Sequence, residues 1–174
     1  MELFRRAVDE YAEAGGRKVA LSPYAGEIFV DLDIMHKIRY LADTGFDRIH
    51  TYSNATLIDR FGAENVLRSG LTSLHISTAP LDAQVYKAIY RHPAYRRTLR
   101  NIRDLLIGFR DAPDRTVREF SIEFRSDRSL QACRALPDYK EFVEPYLTPE
   151  VSISILTHFD SRAGLIRPAD LPPG

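Results

Sequence analysis

The chain has 174 residues, of which 44% are hydrophobic and 28% charged, the composition of one ordinary globular domain. Lys plus Arg and Asp plus Glu each number 24, so no net charge attracts nucleic acid or an anionic membrane, and we expect neither as a partner. The single cysteine, Cys133, excludes an internal disulfide and any multi-thiolate metal site built from this chain alone. No apolar run has the length of a membrane span and no signal-like N-terminus is present, which predicts a cytoplasmic protein.

Helix-like and strand-like segments alternate along the chain. In chain order the sequence predicts an opening helix that ends at Gly15 and Gly16, a strand at 18–21, a helix at 34–45, a strand at 48–52, a short helix that ends at Gly70, a strand at 73–77, a helix around 99–109, a strand at 117–125, a helix at 139–147 broken late by Pro145, and a strand at 151–157. This alternation favours right-handed βα units and a parallel sheet. Because no strand precedes the opening helix, we expect one strand to have been lost upstream.

Two of the predicted strands have one apolar and one polar face. In the strand at 117–125, apolar residues alternate with Ser121, Glu123 and Arg125, and the strand at 151–157 alternates in the same way. A parallel sheet covered on both faces is apolar on both. The pattern therefore predicts an α/β fold in which a curved sheet, or partial (βα) barrel, carries helices on its convex face and a polar cavity on its concave face. Antiparallel edge strands with one face in water are the alternative.

The predicted domain boundaries follow from composition. We expect residues 1–166 to form the partial barrel, and 167–174 to be a Pro-rich tail or linker.

Polar residues directly follow the first four predicted strands, where functional groups of βα folds collect. Together they offer a carboxylate, an amide, hydroxyls and a guanidinium, a set that suits a zwitterionic, amino-acid-like cofactor. A turn is the alternative for the Gly-Glu pair, and a turn or helix cap is the alternative for the asparagine. The candidate binding residues are Gly26, Glu27, Ser53, Asn54, Ser77 and Arg125.

Five segments, taken in order, resemble the radical S-adenosylmethionine (SAM) superfamily. The first is similar to the segment with the Gly-Gly-Glu-Pro-type motif, the next three to the strand and helix segments that follow it, and the last to the segment preceding the cysteine-rich SPASM extension. No single match is strong, but five ordered matches are more specific than one. The segments are 21–31, 51–58, 69–78, 86–91 with 101–102, and 159–166.

The resemblance implies a role for each candidate residue. Glu27 and the glycine before it would contact the amino group of SAM, and Ser53 and Asn54 would lie beside its methionine moiety. Ser77 would bind the carboxylate or the ribose, and Arg125 is a further partner for the carboxylate. In this family a reduced 4Fe–4S cluster cleaves SAM to a radical that abstracts hydrogen from a substrate, here unknown, with a peptide as one candidate. An active form would also need a reductase.

The sequence departs from the family pattern in ways that bear on activity. Ala25 replaces the first glycine of the motif, and Ile28 replaces its proline. The C-x-x-x-C-x-x-C motif that holds the cluster in the family is absent from this sequence. Cluster irons need thiolate ligands. We therefore expect a truncated SPASM-type radical SAM enzyme, comprising the second to sixth βα units, that is inactive as this chain and has no metal ligands among its site residues.

Two other functions fit the same sequence. One is a cluster-less relative that acts as a SAM- or ligand-binding module or an interaction module. The other is an unrelated βα-barrel enzyme that uses Glu123, Arg125 and a histidine for acid–base chemistry. An internal ion pair between Glu123 and Arg125 competes with either use of those two residues.

Overall fold

Five strands form one parallel sheet in the computed structural model, which describes residues 1–23 and 26–156. The strand order is β1-β2-β3-β4-β5, and every neighbouring pair is parallel. The strands are β1 (Lys18–Ala20), β2 (Arg48–Ser53), β3 (Ser73–Thr78), β4 (Glu119–Arg125) and β5 (Val151–Leu156). The predicted α/β class and parallel sheet are confirmed, and the alternative of antiparallel edge strands is wrong.

Seven helices and three 3₁₀ turns connect or flank the strands in the described part of the chain. The helices are α1 (Glu2–Glu13), α2 (Ile34–Thr44), α3 (Ala63–Leu67), α4 (Ala83–Tyr90), α5 (Tyr95–Asp111), α6 (Leu130–Arg134) and α7 (Pro137–Phe142), and the 3₁₀ turns are Ile28–Val30, Ile58–Arg60 and Glu144–Tyr146.

Two helices were missing from the prediction, and one predicted helix is divided. The short helices α4 and α6 have Arg91 and Ala135 as their C-terminal caps, so no glycine marks their ends in the sequence. The helix predicted at 139–147 ends at Phe142, and a 3₁₀ turn that contains Pro145 continues it. Val143 separates the two with φ −121° and ψ −59°, outside the helical region.

The sheet buries one face and leaves the other open. On β4, Phe120, Ile122 and Phe124 are at most 2% exposed, and they belong to the same core as residues of α5 such as Leu106. The intervening Ser121 and the other residues of its face are partly or fully exposed. Because right-handed crossovers between strands taken in sequence order place every helix on one side, this strand order leaves the other side uncovered. The predicted polar face is present.

Gly45 ends α2 in the left-handed conformation, with φ +88°, and its N–H donates to the carbonyl of Ala42 at 3.1 Å. A Cβ here would meet no atom within 4 Å, so a substitution changes only the backbone energy. We expect Gly45→Ala to lower the free energy of unfolding by about 1 kcal/mol. Gly45→Asn should lower it less, because Asn tolerates this conformation. Urea unfolding of both variants checks this, and an Ala variant as stable as the native chain would contradict it.

Some sequence predictions lie outside the described residues. They concern Ala25, the SPASM-like segment 159–166, the C-terminal end of the domain and the tail at 167–174. Among the residues that are described, no helix is both long and apolar enough to cross a bilayer.

Candidate functional site

A cavity of about 430 Å³ lies at the carboxyl ends of the strands, and all six predicted site residues line it. The loop after β1 contributes Gly26 and Glu27, and β2 and its following residue contribute Ser53 and Asn54. The end of β3 contributes Ser77 and the end of β4 Arg125. Parallel strands bring these ends together, which is why residues separated by up to 99 positions, from Gly26 to Arg125, meet here.

Glu27 connects the loop after β1 to the loop after β2. Its Oε1 accepts hydrogen bonds from Ser53 Oγ at 2.8 Å and from the backbone N–H of Phe29 at 3.2 Å. Its Oε2 accepts from the backbone N–H of Asn54 at 2.6 Å. The bond to Phe29 caps the 3₁₀ turn Ile28–Val30. The carboxylate is therefore fixed in one orientation from two loops.

The Glu27 carboxylate has room for a further donor from a ligand. A carboxylate offers about four lone-pair positions, and the three bonds above use three of them. Burial raises the pKa of Glu27 above its ordinary value, while the bonds from Asn54, Ser53 and Phe29 oppose that rise. A cationic donor in the cavity would offset the cost of burying this charge.

The raised pKa of Glu27 predicts how stability depends on pH. A carboxyl group whose pKa is higher in the folded chain contributes stability below its unfolded value near 4.5 and loses that contribution as pH rises through the folded pKa. The stability of the native chain relative to Glu27→Gln, which does not titrate, should thus fall as pH rises from about 4 through the folded pKa of Glu27. Denaturant unfolding of both chains across this range measures it. A relative stability that rises with pH would mean that the pKa is lowered instead.

A tight turn presents Ser53 and Asn54 to Glu27. Ser53 Oγ accepts from the N–H of Ala55 at 2.9 Å, and Asn54 Oδ1 accepts from the N–H of Thr56 at 2.9 Å. Ala55 has φ +62°, an uncommon conformation for a residue with a side chain. The Asn54 side chain thus has the turn role considered from the sequence, while its backbone N–H contacts Glu27.

Asn101 on α5 supports this turn by hydrogen bonds to its backbone carbonyls. Its Nδ2 donates to the carbonyl of Ala55 at 2.7 Å and to the carbonyl of Thr56 at 3.2 Å, and the residue is 3% exposed. A buried amide that satisfies two carbonyls fixes the turn in position. The sequence placed Asn101 only in a segment that resembles the family, with no role in the site.

The positive charge in the cavity wall, opposite in sign to the Glu27 carboxylate, is Arg125 at the end of β4. Arg125 Nε donates to Ser77 Oγ at 2.9 Å, and Tyr90 of α4 donates through its hydroxyl to the carbonyl of Ser77 at 3.3 Å. Burial raises the pKa of Tyr90, so its hydroxyl stays protonated. Tyr90 was missed because α4 was not predicted. The cavity also has Ser22, Pro23 and Tyr52 in its wall, none of which was predicted.

Gly26 lies in the cavity wall with φ +114°. Its Cβ position is open, so the backbone conformation and not crowding favours glycine here. Two residues on, Ile28 is 8% exposed and packs in the hydrophobic core.

The residues proposed for acid–base chemistry are not gathered in this cavity. Glu123 lies on the open face of β4 and is absent from the cavity wall, and no ion pair within the described ranges joins it to Arg125. Cys133 is 1% exposed on α6. Within residues 1–23 and 26–156, no group of three or more His, Cys, Asp or Glu side chains could hold a metal ion.

No protein-family model matches the sequence, and no curated protein is significantly similar to it. The radical SAM relationship therefore stays a prediction.

Proposed function

We propose that the cavity at the strand ends binds SAM, and that the sheet is the partial (βα) barrel of a SPASM-type radical SAM enzyme. The sequential, all-parallel strand order with one open polar face supports a barrel segment. The five resembling segments occur in family order, and the residues that they place at the SAM site line one cavity.

The observation that carries this proposal is how the Glu27 carboxylate is held in the cavity. A carboxylate held by two loops, with one acceptor position left, suits the ammonium group of an amino-acid moiety. The guanidinium of Arg125 and the hydroxyl of Ser77 suit the carboxylate of the same moiety. Since acceptor and donor groups lie in one cavity, a zwitterion satisfies both, whereas a simple anion or cation satisfies one.

The residues present fit SAM, and their contribution is binding and orientation. Glu27 and Gly26 would hold the amino end, Ser53 and Asn54 the neighbourhood of the methionine, and Arg125 with Ser77 the carboxylate. The chemistry that bound SAM supplies in this family is the start of a radical reaction on a substrate. Partial burial of Glu27 reduces the competition of water for the ammonium group.

The residues present do not fit a 4Fe–4S cluster. The chain has one cysteine, and it is buried in α6, whereas such a cluster needs several thiolates. We therefore propose that this chain by itself binds SAM without cleaving it. A substrate, a reductase and a cytoplasmic location would belong to a form that carries a cluster, and they remain proposals.

A cluster-less SAM-binding module is the second candidate function. The single buried cysteine and the apolar packing of Ile28 favour it. It shares the SAM site with the first candidate and differs in having no cluster ligands at all. Titrations of SAM therefore test the site for both.

Calorimetric titration with SAM and with 5′-methylthioadenosine tests the site. The second compound keeps the nucleoside and lacks the amino-acid moiety, so it cannot bond to Glu27 or Arg125. We expect SAM to bind at least about tenfold more tightly, since one charge-assisted hydrogen bond is worth more than the 1.4 kcal/mol of a tenfold change. Equal affinity would contradict recognition of the zwitterion, and absence of SAM binding would contradict the proposal.

A further inference from the structure

A continuous chain of hydrogen bonds crosses the open face of the sheet, and the proposed SAM site does not use it. Ser121 Oγ lies 2.7 Å from His75 Nδ1, and His75 Nε2 lies 2.8 Å from Ser73 Oγ. Ser73 Oγ donates to Glu119 Oε2 at 2.9 Å, and Arg48 Nη2 donates to the same oxygen at 2.8 Å. The chain thus spans β2, β3 and β4.

The direction of each bond follows from the carboxylate. Glu119 pairs with a guanidinium and accepts, so the single proton of Ser73 is used in that bond. Ser73 Oγ must then accept from His75 Nε2–H. In a neutral imidazole the other nitrogen is the acceptor, so His75 Nδ1 faces the hydroxyl proton of Ser121. The chain ends in a serine hydroxyl hydrogen-bonded to a basic nitrogen.

The surroundings keep His75 neutral and fix its ring. Burial is the main cause that lowers the pKa of His75, with His50 and Arg48 of β2 lowering it further and Glu119 of β4 opposing them. Tyr52 of β2 stacks on the imidazole, with 4.8 Å between ring centroids and 24° between planes. On the other side Ser121 is the Cα partner of His75 in the register of β3 and β4.

We propose that Ser121 is a nucleophile, that His75 is its general base, and that the open face hydrolyses activated carboxylic esters. Ser73 and Glu119 are positioning residues, because they act through His75. Hydroxyl nucleophiles are generally activated in this way: the serine hydroxyl donates a hydrogen bond to an imidazole, and a third group orients the imidazole. This activity is independent of the proposed SAM site.

The reaction balances with water as the only co-reactant. Ser121 Oγ bonds to the carbonyl carbon of the ester, the bond from that carbon to the leaving oxygen breaks, and the hydroxyl proton passes by way of His75 Nδ1 to the leaving alkoxide. Water then attacks the acyl-serine, and its proton passes through His75 to Ser121 Oγ as the carboxylic acid leaves.

The backbone restricts the substrate. Strands β3 and β4 pair at six register positions, from Ser73↔Glu119 to Thr78↔Phe124, so their N–H groups take part in the sheet and not in binding an oxyanion. Esters with good leaving groups, such as aryl esters, need the least stabilisation of the tetrahedral intermediate and are the expected class.

Labelling with a fluorophosphonate tests the nucleophile without SAM. The serine oxygen bonds to phosphorus, fluoride leaves, and the adduct is located by peptide mass spectrometry. Ser152 is the matched control, because it is the Cα partner of Ser121 on β5, shares the open face and lies one strand further from His75. We expect labelling at Ser121 to be about 100-fold faster than at Ser152, because general-base catalysis typically accelerates a reaction by at least about 100-fold. Equal rates would overturn the proposal.

Two further measurements test the role of His75. His75→Gln should reduce labelling of Ser121 to the rate of Ser152, and an unchanged rate in a folded variant would overturn the proposal. Should that variant fail to fold, the pH profile of the native chain decides. Labelling should fall on acidification, with a midpoint below 6.5, where His75 becomes protonated. A rate independent of pH would contradict a histidine base.

Discussion

Replacing Glu27 with alanine is expected to lower the affinity for SAM by about 10- to 100-fold, the value of one charge-assisted hydrogen bond. The change removes the acceptor for the ligand's ammonium group. It also leaves the N–H groups of Phe29 and Asn54 without their carboxylate, so the two loops at the cavity lose their common partner. Calorimetry measures the affinity, and thermal unfolding shows whether the variant is folded.

The control for this prediction is Glu123→Ala. Glu123 lies on the open face of β4, two residues before Arg125, and does not line the cavity. Glu123 is the Cα partner of Ser77, which lines the cavity, so a long-range field would weaken SAM binding in both variants. We expect the Glu123 variant to bind within about twofold of the native chain. Equal losses in the two variants would contradict a direct contact with Glu27.

Replacing Asn101 with alanine is expected to destabilise the fold by roughly 1–3 kcal/mol, the cost of leaving buried polar groups unpaired. The carbonyls of Ala55 and Thr56 lose their donor under the turn that holds Asn54 against Glu27. SAM affinity should fall with stability, although Asn101 is not part of the cavity wall. Denaturant unfolding and calorimetry on the same samples measure the two effects.

Asn65→Ala is the matched variant for Asn101. Asn65 Nδ2 also donates to a backbone carbonyl, that of Phe61 at 2.8 Å, but the contact is exposed to solvent. Water can replace the amide there, so we expect a change below about 0.5 kcal/mol and no change in SAM affinity. If the two variants were equally stable, Asn101 would not support the turn as described.

The fold class was predictable because it depends on local patterns. Short runs of apolar residues predicted the position of each strand. The alternation of Phe120, Ile122 and Phe124 with polar residues predicted that one face of the sheet is open. The helices α4 and α6 were missed because their C-terminal caps are Arg91 and Ala135, without a glycine such as the one that marked the end of the short helix α3.

The candidate site was predictable only in part. Residues that follow strand ends could be chosen from order alone, because parallel strands gather their carboxyl ends. Tyr90 and Asn101 reach the site from helices, and the contact between Asn101 and Ala55 joins residues 46 positions apart. The partnership of His75 with Ser121 depends on the register of β3 and β4, which the sequence does not specify.

The most direct test of the central claim is to follow backbone amide resonances by NMR during a titration with SAM. We expect the amides of Asn54 and Phe29, which donate to Glu27, to shift and saturate together. A second cavity, lined by Gly62 and Gly108 among others, lies apart from these residues and serves as the internal reference. Shifts at that cavity with none at Asn54 and Phe29, or no shifts at all, would contradict SAM binding at the strand ends.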